Sequence, residues 1–150
     1  MTDLDRQRER VPTQAELMLK RLDPLLPPLS PAPDWDSAFA FRWRRHGTSG
    51  FLQAVRRPSP IRLADLCDID EQKARIVANT RQFIAGKPAN NVLLTGTRGS
   101  GKSSLIKALL NEYAGSGLRI IEVEKSELTD LPDIVELVEH RPERFIIFCD

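Results

Sequence analysis

Asn91–Leu110, NVLLTGTRGSGKSSLIKALL, is the stretch whose reading decides the fold. Within it Gly96–Ser103, GTRGSGKS, matches Gly-x-x-x-x-Gly-Lys-Ser/Thr at every fixed position. Val92, Leu93 and Leu94 form a short apolar run of the kind a buried parallel strand shows, and Ser103 to Tyr113 has the spacing of an amphipathic helix. A flexible Gly/Ser loop would need neither neighbour. Strand, glycine-rich turn and helix in that order predict a site for a nucleoside triphosphate.

The residue types follow from the charge to be held. A triphosphate must exchange water for many donors converging on one point, and backbone N–H groups supply them if no side chain intervenes. Gly96 opens the turn, while Gly99 and Gly101 admit the φ values that aim successive N–H groups inward. The following helix adds its positive end. Lys102 is expected to reach the β and γ phosphates, and Ser103 to place its hydroxyl on Mg²⁺. Thr97, Arg98 and Ser100 fill the variable positions, and Ser104 completes the set of loop residues expected at the nucleotide. Arg98 reads as a solvated loop arginine, with a partner or phosphate contact as the alternative.

A second apolar run, Phe145 to Cys149, ends in a single carboxylate, Asp150. It resembles the second nucleotide motif of P-loop proteins, in which the carboxylate supports Mg²⁺ through a water. The plainer alternative is a core strand with a polar exit.

Composition bounds the rest. The chain has 150 residues and a net charge of +1, which gives no overall bias toward nucleic acid or membrane surfaces. No apolar run approaches a membrane span, and the start MTDLDRQRERV is too charged for a secretory signal, so a cytoplasmic protein is expected. Cys67 and Cys149 read as reduced thiols, and His46 and His140 stand alone without ligand spacing.

Organisation improves toward the C-terminus. Residues 1–12 look like a solvated tail, Thr13 and Glu16 have capping-box spacing for a short helix over Gln14–Leu22, and five prolines from Pro24 to Pro33 suggest an extended connector or, less favoured, a ligand for an adaptor domain. Residues 1–36 thus form a tail, helix and linker. Residues 37–60 form a basic-aromatic arm: no acidic residue occurs from Ser37 to Ala64, while Arg42, Arg44, Arg45, Arg56, Arg57 and Arg62 do. Phe39, Phe41 and Trp43 alternate with Ala40, Arg42 and Arg44 at the period of a strand with one apolar face. Nucleic-acid binding is one reading. Packing of that face onto the nucleotide domain or a neighbouring subunit is the favoured one, because the cluster is short.

Residues 61–150 read as the nucleotide domain. Asp70 is placed to cap a helix from Glu71 to about Ala85, with Ile69, Ile76, Phe83 and Ile84 inward, Gly86 as the stop and Pro88 beyond. After the loop and its helix, Gly115–Gly117 precede a strand over Leu118–Val123 with Ile120, Ile121 and Val123 in the core. A helix over Pro132–Glu139, capped by Thr129 or Asp130, leads to the last strand. The alternation predicts an α/β fold with a parallel sheet. Glu124, Glu127, Asp130 and Asp133 read as a solvated acidic edge rather than a metal site.

LCDIDEQKARIVANTRQFIAGKPANNVLLTGTRGSGKSSLIKALL, continued by LRIIEVEKSELTDLPDIVELVEHRPERFIIFCD, resembles the start of an AAA+ ATPase module. More narrowly it is similar to an uncharacterised group of bacterial proteins catalogued as a domain of unknown function in that superfamily. The resemblance covers about Phe39 to Asp150 and is absent from the first 35 or so residues. It implies a P-loop fold and ATP with Mg²⁺ as cofactors, held by Gly96, Gly99, Gly101, Lys102 and Ser103, with Asp150 supporting the metal and Leu66 to Ile69 lining the adenine pocket. Many AAA+ proteins carry glycine where this chain has Asp68. The resemblance also implies a further strand between the phosphate-loop strand and the Asp150 strand, a water-activating residue after Asp150, a sensor, a helical lid and a finger arginine from a neighbouring subunit. On that basis the sequence is expected to be the N-terminal fragment of a larger ATPase that hydrolyses ATP with Mg²⁺ and forms a homo-oligomer when complete, while the fragment itself binds ATP without turnover.

Two other functions share these features. A GTPase or small-molecule kinase would use the same loop, but no Asn-Lys-x-Asp guanine motif occurs in the chain. A nucleotide-switched module for nucleic acid or protein would place its partner site on the arm.

Overall fold

The alternation that begins at Phe39 builds the first strand of the sheet. In the computed structural model, which describes residues 16–18, 21, 33–47 and 49–149, β1 spans Ala40–His46. The chain turns at Gly47, whose φ of 63° suits a residue without Cβ, and returns as β2, Ser49–Ala54, antiparallel to β1. Phe41 faces Ala54 and Trp43 faces Leu52. β3, Leu118–Val123, pairs parallel with β1, and β4, Arg144–Cys149, pairs parallel with β3, giving the order β2-β1-β3-β4. The expected parallel sheet is therefore a mixed one. Its antiparallel member is β2, the second strand of the arm, which folds back on β1 as a hairpin at the sheet's edge.

Three helices cover the two faces: α1 over Asp70–Ile84, α2 over Lys102–Tyr113 and α3 over Leu131–Val138. On one face Ala40 and Ile120 share a buried cluster with Ile76 of α1 and Leu105, Ile106 and Leu109 of α2. On the other, Phe41, Trp43, Leu52, Ile121 and Val123 enclose Ile134 of α3, and Trp35 packs on this cluster. The period-two alternation of β1 and β3 sends successive side chains to opposite clusters, and β3, flanked by strands, buries both its faces.

Several expected elements shift. Val92–Leu94 is not a strand: residues 88–97 are irregular, with Leu93 86% exposed. Among the described residues no strand lies beside it to share a ladder, and an apolar run without that partner cannot satisfy its backbone as a strand. Two bonds fix its entry instead, Asn79 Nδ2 to Asn90 O at 2.8 Å and Asn90 N to Asn79 Oδ1 at 2.9 Å. Phe145–Phe148 is half-buried rather than fully core, and Cys149 is exposed, because β4 is a sheet edge. α3 starts one residue earlier than expected, after Asp130, whose carboxylate makes no cap and accepts from Trp43 Nε1 at 2.9 Å instead.

The chain divides between Ser30 and Pro31 into two units. In the first, Glu16, Leu17, Met18 and Arg21 are helical, within the expected Gln14–Leu22 helix; the expected tail and nearly all of the proline-rich connector lie outside the described residues. The second unit holds both the arm and residues 61–150. No described helix is long and apolar enough to cross a membrane.

Candidate functional site

Residues 96–101 form a turn that only glycine tolerates at three points. Gly96, Gly99 and Gly101 have φ values of 148°, 82° and 84°. A Cβ on Gly96 would stand 2.9 Å from Ser100 Oγ, whereas nothing lies within 4 Å of one built on Gly99 or Gly101. The open space leaves the loop backbone accessible. Ser100 N donates to Thr97 O at 3.2 Å, and Leu105 N donates to Gly101 O at 2.9 Å as α2 begins. Among the described residues no backbone carbonyl accepts from the N–H of Arg98, Gly99 or Gly101. The first turn of α2 adds N–H groups without intrahelical acceptors and the positive end of its dipole.

Lys102 closes this cradle on itself. Its Nζ donates to Gly96 O at 3.0 Å and Thr97 O at 2.8 Å, with Ser100 Oγ at 3.5 Å. It enters none of the ion pairs among the described residues, so its charge faces the loop without a carboxylate. Thr97 and Arg98 are exposed, and Ser103 and Ser104 are half-buried. An unpaired ammonium, glycine backbone and a helix N-terminus at one place suit a polyanion such as a triphosphate.

Beside the loop lies a cavity of about 630 Å³ between α1, the segment 89–94, α2 and β4. Lys102 and Ser103 line it together with Cys149, the residue before Asp150. Asp150 lies outside the described residues. The structure thus brings the loop and the end of β4 to one cavity. Leu66 and Ile69 do not line it; they join the buried cluster that contains Leu105 and Ile106, one turn into α2. Between them Asp68 has a φ of 61°, the left-handed conformation in which the resemblance leads one to expect glycine.

Compared with known families, residues 36–150 match the family described as Protein of unknown function (DUF815). The chain belongs to this family. Neither the comparison with curated proteins nor that with solved structures returned a match. The region shared with the DUF815 family begins at Asp36 and so takes in the β1–β2 hairpin as well as the loop.

Three arginines of the arm are already engaged. Arg42 meets Glu122 at 2.8 Å, Arg44 meets Glu124 at 2.8 Å and Arg45 meets Asp130 at 3.4 Å. Glu124 and Asp130 belong to the acidic stretch read from sequence as a solvated edge, Glu122 lies within β3, and β1–β3 pairing brings them to the arm's arginines. Arg56 and Arg57 are exposed. Sequence reasoning missed two further contacts. One is the Trp43–Asp130 hydrogen bond. The other is the approach of Trp43 to Gly50, where a Cβ would come within 1.9 Å of Trp43 Cζ2. The available signal was a glycine diagonal to a tryptophan across a hairpin, since Trp43 pairs with Leu52 and Arg45 with Gly50.

Proposed function

We propose that this chain binds ATP with Mg²⁺ through residues 96–104, as part of an AAA+-like P-loop fold. The observation that carries the reading is the loop itself: three glycines in conformations that expose backbone N–H groups, leading into α2 with the Lys102 ammonium at the loop's carbonyls. In this reading Gly96, Thr97, Arg98, Gly99, Ser100 and Gly101 surround the phosphates, and Lys102 exchanges its carbonyl contacts for the β and γ phosphates. Ser103 would hold Mg²⁺ with Asp150 in support, Ser104 would close the loop, and Leu66 and Ile69 would receive the base. Bound there, the metal would supply charge neutralisation to the phosphates. The cavity between segment 89–94 and the open edge of β4 supports the finer fold reading, with one more strand between the loop and Asp150. Hydrolysis would need a side chain that activates water, a role assigned here to no described residue.

Calorimetry with ATP and GTP in Mg²⁺ tests this. ATP should bind more tightly than GTP, and Lys102→Ala should lose about 1.5–3 kcal/mol, roughly ten- to hundred-fold in affinity. Unchanged affinity in a folded Lys102→Ala protein would remove the phosphate-loop assignment. Equal affinity for GTP would count against the AAA+ placement.

A further inference from the structure

Residues 55–62 carry the chain from β2 to the 3-10 turn Leu63–Asp65 without helix or strand, and they contain Arg56-Arg57-Pro58-Ser59-Pro60, all five exposed. The proline after Ser59 biases that serine toward extended backbone. A side chain of α2 holds the stretch in place: Asn111 Nδ2 donates to Ser59 O and to Ile61 O, each at 2.7 Å. Ser59 Oγ itself makes no hydrogen bond among the described residues. Ser59 lines a cavity of about 180 Å³ together with Arg57 and with Lys107, which stands one helical turn before Asn111 on the same face of α2. Neither Arg57 nor Lys107 enters an ion pair among the described residues. Glu122, the carboxylate among the lining residues, already meets Arg42 at 2.8 Å. A free hydroxyl therefore shares a cavity with two unmatched cations, one from each of the segments that Asn111 joins.

We propose that Ser59 is a phosphorylation site whose phosphate, held by Arg57 and Lys107, fastens residues 55–62 to α2. Arginines two and three positions before the serine and a proline directly after it give an extended segment the charge pattern that a serine kinase selects. Transfer from a nucleoside triphosphate forms the bond from Ser59 Oγ to the γ-phosphorus and breaks the bond from that phosphorus to the β,γ-bridging oxygen. The electron pair leaves with the diphosphate, and the hydroxyl proton goes to the base of the kinase. The product carries a charge of about −1.5 to −2 and three acceptor oxygens, which one guanidinium and one ammonium can meet. None of these residues belongs to the loop 96–104, so the proposal stands apart from the ATP reading.

The test treats the whole protein with a kinase that selects upstream arginines and, separately, with one that selects a following proline, and locates phosphate by mass spectrometry. Phosphate at Ser59, absent from Ser59→Ala, is expected from at least one of them; none at Ser59 from either would overturn the proposal. A second sample carries phosphoserine at position 59 introduced during translation. Its melting temperature should exceed that of the unmodified protein by about 2–4 °C, and the second pKa of its phosphate, followed by phosphorus NMR, should fall below the ordinary value of about 6. Both effects should fade at high salt. Arg57→Met combined with Lys107→Met should abolish both, and Arg57→Gln combined with Lys107→Gln is read in the same way should the first pair fail to fold. An unchanged or lower melting temperature, a phosphate titrating at its ordinary value, or effects that survive the double substitution would each overturn the proposal.

Discussion

Gly50 is required by its neighbour rather than by its own backbone. The Trp43 ring over it is 1% exposed and held through Nε1 by Asp130, so it has no free direction in which to move. Gly50→Ala should therefore destabilise the fold by about 1–3 kcal/mol, the usual cost of overpacking, measured by denaturant unfolding. Asp68 presents the opposite case: Asp68→Gly relieves a left-handed Cβ and should stabilise by about 0.5 kcal/mol after the added unfolded-state entropy of glycine is subtracted. A lower melting temperature would refute that account. Glu143 carries a pH dependence. Its carboxyl is held below the ordinary value of 4.5 chiefly by hydrogen bonding to Arg141, whose NH2 lies 2.8 Å away. Because the folded pKa is depressed, this contribution is fully present above the ordinary carboxyl range and lost as pH falls through the depressed value. Glu143→Gln should lower stability at pH 7 and converge with the native protein on the acid side; parallel stability curves down through the acid range would refute it.

Among the elements, the β1–β3 pair shows how a charged arm becomes part of a fold. Parallel pairing sets Arg42 opposite Glu122, and the same geometry carries Arg44 to Glu124 and Arg45 to Asp130 beyond it. These pairs are exposed or half-exposed, so each contributes little to stability, but together they neutralise the arginines that nucleic acid would need. Phe41 and Trp43 face the opposite side and are buried with Ile121, Val123 and Ile134, which leaves neither ring available to stack on a base. Trp43→Ala should therefore cost about 3–5 kcal/mol of stability. Retardation assays at low salt should show no complex with single-stranded DNA or RNA. A salt-sensitive complex lost on changing Arg42, Arg44 and Arg45 would restore the nucleic-acid reading of the arm.

At the scale of the molecule, ligand and fold should be linked through one helix. α2 begins at the glycine-rich loop and supplies Leu105, Ile106 and Leu109 to the core, so the nucleotide proposed to bind at Lys102 would be held against the buried cluster. ATP with Mg²⁺ at a hundred times its dissociation constant should then add about 2.7 kcal/mol of stability, seen as a higher melting temperature. Lys102→Ala, measured at the same ATP concentration, should show a much smaller shift. An equal shift in both proteins would place the nucleotide elsewhere. The open edge of β4 is a further property of the whole, since its half-buried apolar residues and unpaired backbone face the cavity beside segment 89–94.

The sequence alone determined what depends on neighbours along the chain. β3 was legible from its apolar run after Gly117, α1 from its apolar spacing and Gly86, and the glycine-rich loop leading into α2 from glycine and lysine spacing, because periodicity and turn conformation are local physics. Asp70, expected as the cap of α1, is instead its first residue, and Ile69 stands at the cap without a side-chain bond. The alternation of Phe39, Phe41 and Trp43 announced a strand but not its partners. Only the tertiary structure decided that β1 pairs with both β2 and β3, that the arm's arginines meet the carboxylates of residues 122–130, and that Asp130 serves Trp43 instead of its own helix. It also decided that Val92–Leu94, apolar enough for a strand, has no described partner beside it. A strand is completed by hydrogen bonds to residues far away in sequence, and no property of the segment itself records whether they arrive.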